Sequence, residues 1–254
     1  MITPSDDKNF VEIRNYIDQG YKPSSSWYES MVKKLKYDRR KVNQELECAF
    51  LGSGDNVIDS NIIENIKNTM IKEPVNKMIG GSLWIWKEPE VGHKYIMGVD
   101  VSRGDSEDYS TFQILDFTTR EQVAEYVGKI PPDILAELCY KWGLMYSAFI
   151  VIDITGGMGV TTSRKLQELG YRDLYIDGLD STNRWKWDPK AAEKIPGLNF
   201  NNKRVQIIAI FEEYLRHGLL IRSNRLLNEM NTFVYVNGRP DHQKGQHDDL
   251  IMSI

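Results

Sequence analysis

The stretch Lys94-Tyr-Ile-Met-Gly-Val-Asp-Val101, running into Ser102-Arg103-Gly104-Asp105, decides how the chain is read. It is an apolar run of β-forming residues that stops at a turn cluster, and it carries one acid, Asp100, near its end. Ser110–Asp116 alternates as a second strand. Glu121–Gly128 reads as a third, after the turn Thr118-Thr119-Arg120. Short connections among the three predict an antiparallel meander. Pro131 opens a helix with Pro132 and Asp133 in its first turn and an apolar stripe of Ile134, Leu135, Leu138, Trp142 and Met145. Ala148-Phe-Ile-Val-Ile-Asp153 is a continuous apolar run, the pattern of a strand buried on both faces. A helix crosses over before it, so it is expected to pair parallel to an earlier strand.

Outward from this core the signals are shorter. Gly156-Gly157-Met158-Gly159 turns into a helix through Leu169, and a short strand is expected over 174–176. Residues 203–215 form an amphipathic helix, 219–221 a short apolar strand and 225–233 a further helix. A last helix begins at Asp248. Three antiparallel strands, a helix, a parallel strand and a helix make a mixed α/β sheet, in the order used by RNase H-like nucleases. The first eighty residues differ in texture. They hold a Ser24-Ser25-Ser26 run, a basic helical stretch over 31–46 rich in Lys33, Lys34, Lys36, Arg39, Arg40 and Lys41, and a second helix over 60–71. The basic stretch reads as a solvated helix face. Gly80-Gly81 and Pro89 then break the chain.

The chain has 254 residues, 41% hydrophobic and 27% charged, with a net charge of −4. That composition supports one large domain, or one domain with an appendage, and excludes intrinsic disorder. No run approaches the ~20 apolar residues of a membrane span, and the N-terminus has no apolar signal core. Cys48 and Cys139 lie far apart, without zinc spacing, and read as reduced thiols. The mild acidity argues against coating nucleic acid by bulk charge, while leaving room for a local basic groove around a carboxylate-rich site.

The acids carry the chemistry. Asp100 and Asp153 each come directly after a buried strand, where an unpaired carboxylate is costly. On neighbouring strands their ends would lie roughly 5 Å apart. Two carboxylates so close repel each other, and a divalent cation relieves the repulsion. Mg²⁺ takes hard oxygen ligands and keeps waters, and two ions ~4 Å apart can hold both oxygens of a phosphodiester displacement. Either Asp alone could simply cap a turn; the pair at matched strand ends is what points to metal. A third acid comes from His247-Asp248-Asp249-Leu250. An N-cap explains one Asp there but not two. Gly156-Gly157-Met158-Gly159 lacks the ending of a phosphate loop, and no Walker A motif occurs, so no nucleotide-binding site is expected. The four histidines show no zinc spacing, and no nucleophile elbow is present. Arg184-Trp185-Lys186-Trp187, with Lys203, Arg204, Arg222 and Arg225, could form a backbone-tracking DNA surface, each also readable as a solvated residue.

Four passages, His93-Lys-Tyr-Ile-Met-Gly-Val-Asp-Val-Ser-Arg-Gly-Asp-Ser-Glu-Asp-Tyr109, Val151-Ile-Asp-Ile-Thr-Gly-Gly-Met-Gly159, Asn202-Lys-Arg204 and Gly245-Gln-His-Asp-Asp-Leu-Ile-Met-Ser253, carry a family likeness. Together they resemble the C-terminal nuclease domain of the large terminase subunit of tailed bacteriophages. The resemblance implies an RNase H-like domain over 81–254. It implies an endonuclease that cuts double-stranded viral DNA concatemers during head packaging, using Mg²⁺ or Mn²⁺, two ions in all. Asp100 and Asp153 would be metal ligands. The third ligand falls in the pair Asp248-Asp249, with Asp249 favoured and Asp248 as helix cap or support. Asp108, with Asp105 and His247, would assist. Many relatives carry Glu where Asp153 stands. Trp27-Tyr28-Glu29, Asn43-Gln44-Glu45 and Phe50-Leu51-Gly52-Ser53-Gly54 resemble the end of the family's ATPase domain, so residues 1–80 are expected to be a motor remnant and linker. Without Walker motifs the chain carries no complete ATPase site and is expected to be a fragment or split product, its last helix cut short. The implied partners are double-stranded DNA, the portal protein and the small terminase subunit. The implied place is the cytoplasm of the infected bacterial host, with no membrane. The alternatives are a junction resolvase or transposase on the same fold, or a non-catalytic docking module.

Overall fold

The computed structural model describes residues 26–34, 36, 56–105, 108–177, 194–201 and 203–254. The chain divides into a unit of residues 1–55, of which helix α1 (Ser26–Lys34) is described, and a unit of residues 56–254. The expected basic helix ends at Lys34, Lys36 lies in a turn at φ 55, and residues 37–46 lie outside the described residues, as do Cys48, Arg184 and Lys186. Among the described residues no helix is long and apolar enough to cross a membrane.

Helix α2 (Ser60–Thr69) starts the larger unit, so the segment from 56 to 80 folds with the sheet that follows it. Asp59 caps α2 by accepting the Asn61 N–H at 2.8 Å. Strands β1 (Asn76–Met78), β2 (Leu83–Ile85), β3 (Tyr95–Asp100), β4 (Ser110–Asp116) and β5 (Glu121–Gly128) come next. Then follow helix α3 (Pro132–Tyr146), strand β6 (Phe149–Ile152), and helices α4 (Met158–Glu168), α5 (Arg204–Arg216) and α6 (Asn224–Thr232). A hairpin of β7 (Phe233–Val236) and β8 (Arg239–His242) leads to helix α7 (Asp249–Met252).

Six strands form one mixed sheet in the order β1-β2-β5-β4-β3-β6. The expected meander of β3, β4 and β5 is antiparallel, and β6 pairs parallel with β3 after the α3 crossover. β1 and β2 extend the far edge; at three residues each they carry too little pattern to be read in sequence. The strands expected at 174–176 and 219–221 are single bridges instead. Leu174 pairs with Ile150, Ile176 with Gly197 and Leu220 with Glu121. Short apolar runs there fill the core while their backbones pair at isolated residues.

The pleat sorts the side chains onto two faces. Tyr95, Met97 and Val99 of β3 bury against one core, with Ile150 and Ile152 of β6 and Leu135, Ala136, Cys139 and Trp142 of α3. The opposite face meets α5, α6 and α7 through a second cluster that includes Ile208, Phe211, Leu226, Met230 and Leu250. That face also carries buried polar residues. Gln122 donates to Gln113 at 2.7 Å, Gln113 to Glu125 at 3.1 Å, and Ser223 and Arg225 to Glu125 at 2.8 and 2.7 Å. A buried acid is tolerable only when its oxygens are so satisfied. The network ties the start of α6 to the middle of the sheet, and α6 in turn positions α7.

Candidate active site

Asp100 closes β3 and Asp153 follows β6. Val99 stands opposite Ile152 in the parallel ladder, and the Asp153 N–H donates to the Val99 carbonyl at 2.8 Å. The two acids therefore stand at adjacent strand ends, roughly 5 Å apart along the sheet. They share one face, because Gly98 and Asp100, like Val151 and Asp153, are separated by the two-residue period. The chain leaves β6 through Gly156 and Gly157, both at positive φ, into α4. A Cβ on Gly159 would lie 1.8 Å from the Asp153 carbonyl oxygen, so the first turn of α4 presses on the backbone that carries this acid.

The third acid arrives from α7. A Cβ on Gly98 would lie 2.2 Å from the Ser253 carbonyl oxygen, so the end of α7 rests directly on β3. Thr111, cross-strand partner of Asp100, donates its hydroxyl to the Asp249 carbonyl at 2.8 Å. Glu229 on α6 accepts the N–H groups of Leu250 and Ile251 at 2.8 and 3.1 Å. These contacts seat Asp249 beside the two strand-end acids. Each of the three carboxylates is steadied through one oxygen by a backbone N–H: Asp100 by Val101 at 2.9 Å, Asp153 by Thr155 at 2.7 Å and Asp249 by Tyr109 at 3.2 Å.

The electrostatics carry the mark of crowded acids. Burial, then the charges of Asp153 and Asp249, holds the Asp100 carboxyl well above its ordinary range. Burial raises Asp153 against the opposing Thr155 hydrogen bonds. Burial pushes Asp249 up to about 6, with the charges of Asp108 and Asp248 adding to it. Three hard oxygen donors that resist simultaneous ionisation fit Mg²⁺ or Mn²⁺.

The remaining residues singled out by sequence fall in several places. Asp248 occupies the N-cap position of α7 but accepts no capping N–H. Its carboxylate pairs with Arg204 and stands 3.3 Å from His242 Nδ1. The capping expected of Asp248 is done by Glu229. Sequence reasoning missed this acid, although it sits three residues after the buried Leu226, inside the apolar stripe of α6. Asp108 is exposed and near enough to act on Asp249, and His247 Nδ1 lies 3.5 Å from an Asp249 oxygen. Asp105 is exposed and pairs with Arg103 at 3.1 Å. The expected DNA-facing cations largely serve the fold. Lys203 pairs with Asp177, Arg204 with Asp248, Arg222 with Glu121 and Arg225 with Glu125. The exposed Lys129 lies over the Tyr109 ring at 5.0 Å, and the Tyr109 backbone N–H donates to Asp249. A largely apolar cavity of about 280 Å³, lined in part by Val151, Asp153, Leu198, Phe211 and Met252, adjoins the site.

A six-stranded mixed sheet with one parallel pair, flanked by helices, is an RNase H-like fold. Among solved structures it is shared with large terminase nucleases of phages. The magnesium-bound large terminase nuclease of thermophilic phage G20c is 18% identical with a TM-score of 0.59, covering 80% of this chain and 95% of that one. The cobalt-bound form gives 18% and 0.57 over the same shares. The large terminase nuclease domain of Thermus phage P74-26 is 16% identical with a TM-score of 0.50, covering 76% and 90%. No protein-family model matches the chain.

Proposed function

We propose that residues 56–254 are a divalent-metal-dependent endonuclease acting on double-stranded DNA, in the manner of a large terminase nuclease. The observation that carries this reading is that Asp100 and Asp153 stand at neighbouring strand ends while α7 brings Asp249 against β3, each acid steadied through one oxygen. These three would hold two Mg²⁺ or Mn²⁺ ions, which supply charge neutralisation and a water nucleophile. The magnesium and cobalt found in the G20c structures support the metal class. Asp153 and Asp100, side by side, orient the attacking water toward phosphorus. Asp249, held by Tyr109 and helix α7, would help hold the ion that stabilises the leaving 3′ oxygen. His247, beside Asp249, can pass a proton to that oxygen. Lys129, over Tyr109, is placed to meet a backbone phosphate rather than a base edge.

In this reading the N-terminal segment is the end of an ATPase domain. The substrate is concatemeric phage DNA in the cytoplasm of the infected bacterium, and the portal protein and small terminase subunit are the assembly partners. The test is plasmid nicking by the purified chain with Mg²⁺ or Mn²⁺. Asp100→Asn is expected to abolish it, and undiminished nicking by that variant rejects the assignment. Preference for four-way junctions over linear duplex would instead indicate a resolvase.

A further inference from the structure

Another group of metal-ligating side chains converges beside the three-acid cluster without sharing a ligand with it. Asp241 and His242 end β8 and Asp248 precedes α7, and one ligand atom from each lies within 4.8 Å of the others. His242 Nδ1 stands 3.3 Å from Asp241 Oδ1 and 3.3 Å from Asp248 Oδ1. Both separations exceed the roughly 2.7–3.2 Å of an ordinary N–H···O bond. They match the edge of a coordination polyhedron: two donors about 2.1 Å from Zn²⁺ at the tetrahedral angle are about 3.4 Å apart. Arg204 takes the other oxygen of Asp248, and the His242 N–H donates to Asp241 Oδ1 at 2.9 Å, holding that carboxylate beside the ring. Asp241 is 50% and His242 40% exposed, so an ion can enter from solvent and keep a water as its fourth ligand.

We propose that Asp241, His242 and Asp248 form a separate site for a zinc-class divalent cation, which clamps hairpin strand β8 to the start of α7. The imidazole nitrogen selects the metal, because Mg²⁺ prefers an all-oxygen octahedron, whereas Zn²⁺ accepts nitrogen and carboxylate in a tetrahedron. The clamp lies beside Arg204, which already bridges the two elements by donating to the Pro240 carbonyl at 3.1 Å and pairing with Asp248. Zinc would thus stiffen the segment that carries Asp249.

The test measures Zn²⁺ binding by equilibrium dialysis to the Asp100→Asn protein in excess Mg²⁺, so that the all-oxygen cluster does not contribute. One equivalent of Zn²⁺ that Mg²⁺ does not displace is expected. His242→Gln and Asp241→Asn should each weaken it by about 100-fold or more, since losing even an outer partner of a metal ligand costs 10–100-fold. The melting temperature without metal should hold for both variants, and either one suffices if the other fails to fold. Failure to bind Zn²⁺, displacement by Mg²⁺, or equal Zn²⁺ affinity in parent and folded variants overturns the proposal.

Discussion

Glu229 should give the metal-free protein a steep response to pH. Its Oε2 accepts the Leu250 and Ile251 N–H groups, and burial, together with the charges of Asp249 and Asp248, pushes its carboxyl up to about 8. An unfolded Glu titrates near 4.5. The folded state therefore holds this proton more tightly. The stability it contributes is complete below pH 4.5, declines through the window from 4.5 to about 8, and is gone above it. At ~1.4 kcal/mol per pH unit the loss is at most about 5 kcal/mol. Glu229→Gln stays neutral throughout, and its Oε1 can accept both N–H groups. Urea unfolding in EDTA should show the Gln variant gaining on the parent by about 4 kcal/mol between pH 5 and pH 9. Glu229→Ala, with no acceptor, should instead lose ~1–3 kcal/mol even at pH 5. Stability curves for parent and Glu229→Gln that run parallel from pH 5 to pH 9 would refute the reasoning.

Three further outcomes are expected. Because Asp249 titrates near 6 without metal, Mg²⁺ affinity measured by calorimetry should fall about tenfold per pH unit below that point, and an affinity flat from pH 5 to 7 would contradict it. Gly159→Ala and Gly98→Ala force a Cβ against the backbone oxygens of Asp153 and Ser253, so each should cost ~1–3 kcal/mol in thermal melts and depress nicking. Wild-type melting temperatures for both would show that the close approaches are not needed. Thr111→Val removes the hydroxyl donor to the Asp249 carbonyl and should cost ~1–2 kcal/mol while weakening Mg²⁺ binding. Unchanged binding would separate α7 seating from the metal site.

The sheet was legible because its signals are long. β3, β4 and β5 run over six to eight residues with short turns between them, and α3 demands a crossover that makes β6 parallel to β3. From that follows the adjacency of Asp100 and Asp153, two acids at matched strand ends. β1 and β2 escaped because three residues show no period. The split of duties between Asp248 and Asp249 escaped for a different reason. Adjacent residues on a helix N-terminus point apart, and what each meets depends on Arg204, His242 and Tyr109, none local in sequence. Glu229 carries no motif of its own beyond its place in the apolar stripe of α6. Only the arrival of α7 above it makes it a cap. The basic residues misled by composition: charge counts record Arg222 and Arg225 but not Glu121 and Glu125 waiting for them in β5.

The Tyr109–Asp249 hydrogen bond joins positions 140 residues apart. During synthesis the ribosome releases both strand-end acids, and can let the sheet around them close, well before α7 emerges. Contacts of such long range form late in folding. On the proposed function, a half-made or proteolytically clipped molecule that lacks α7 holds two carboxylates with no third and would not cut.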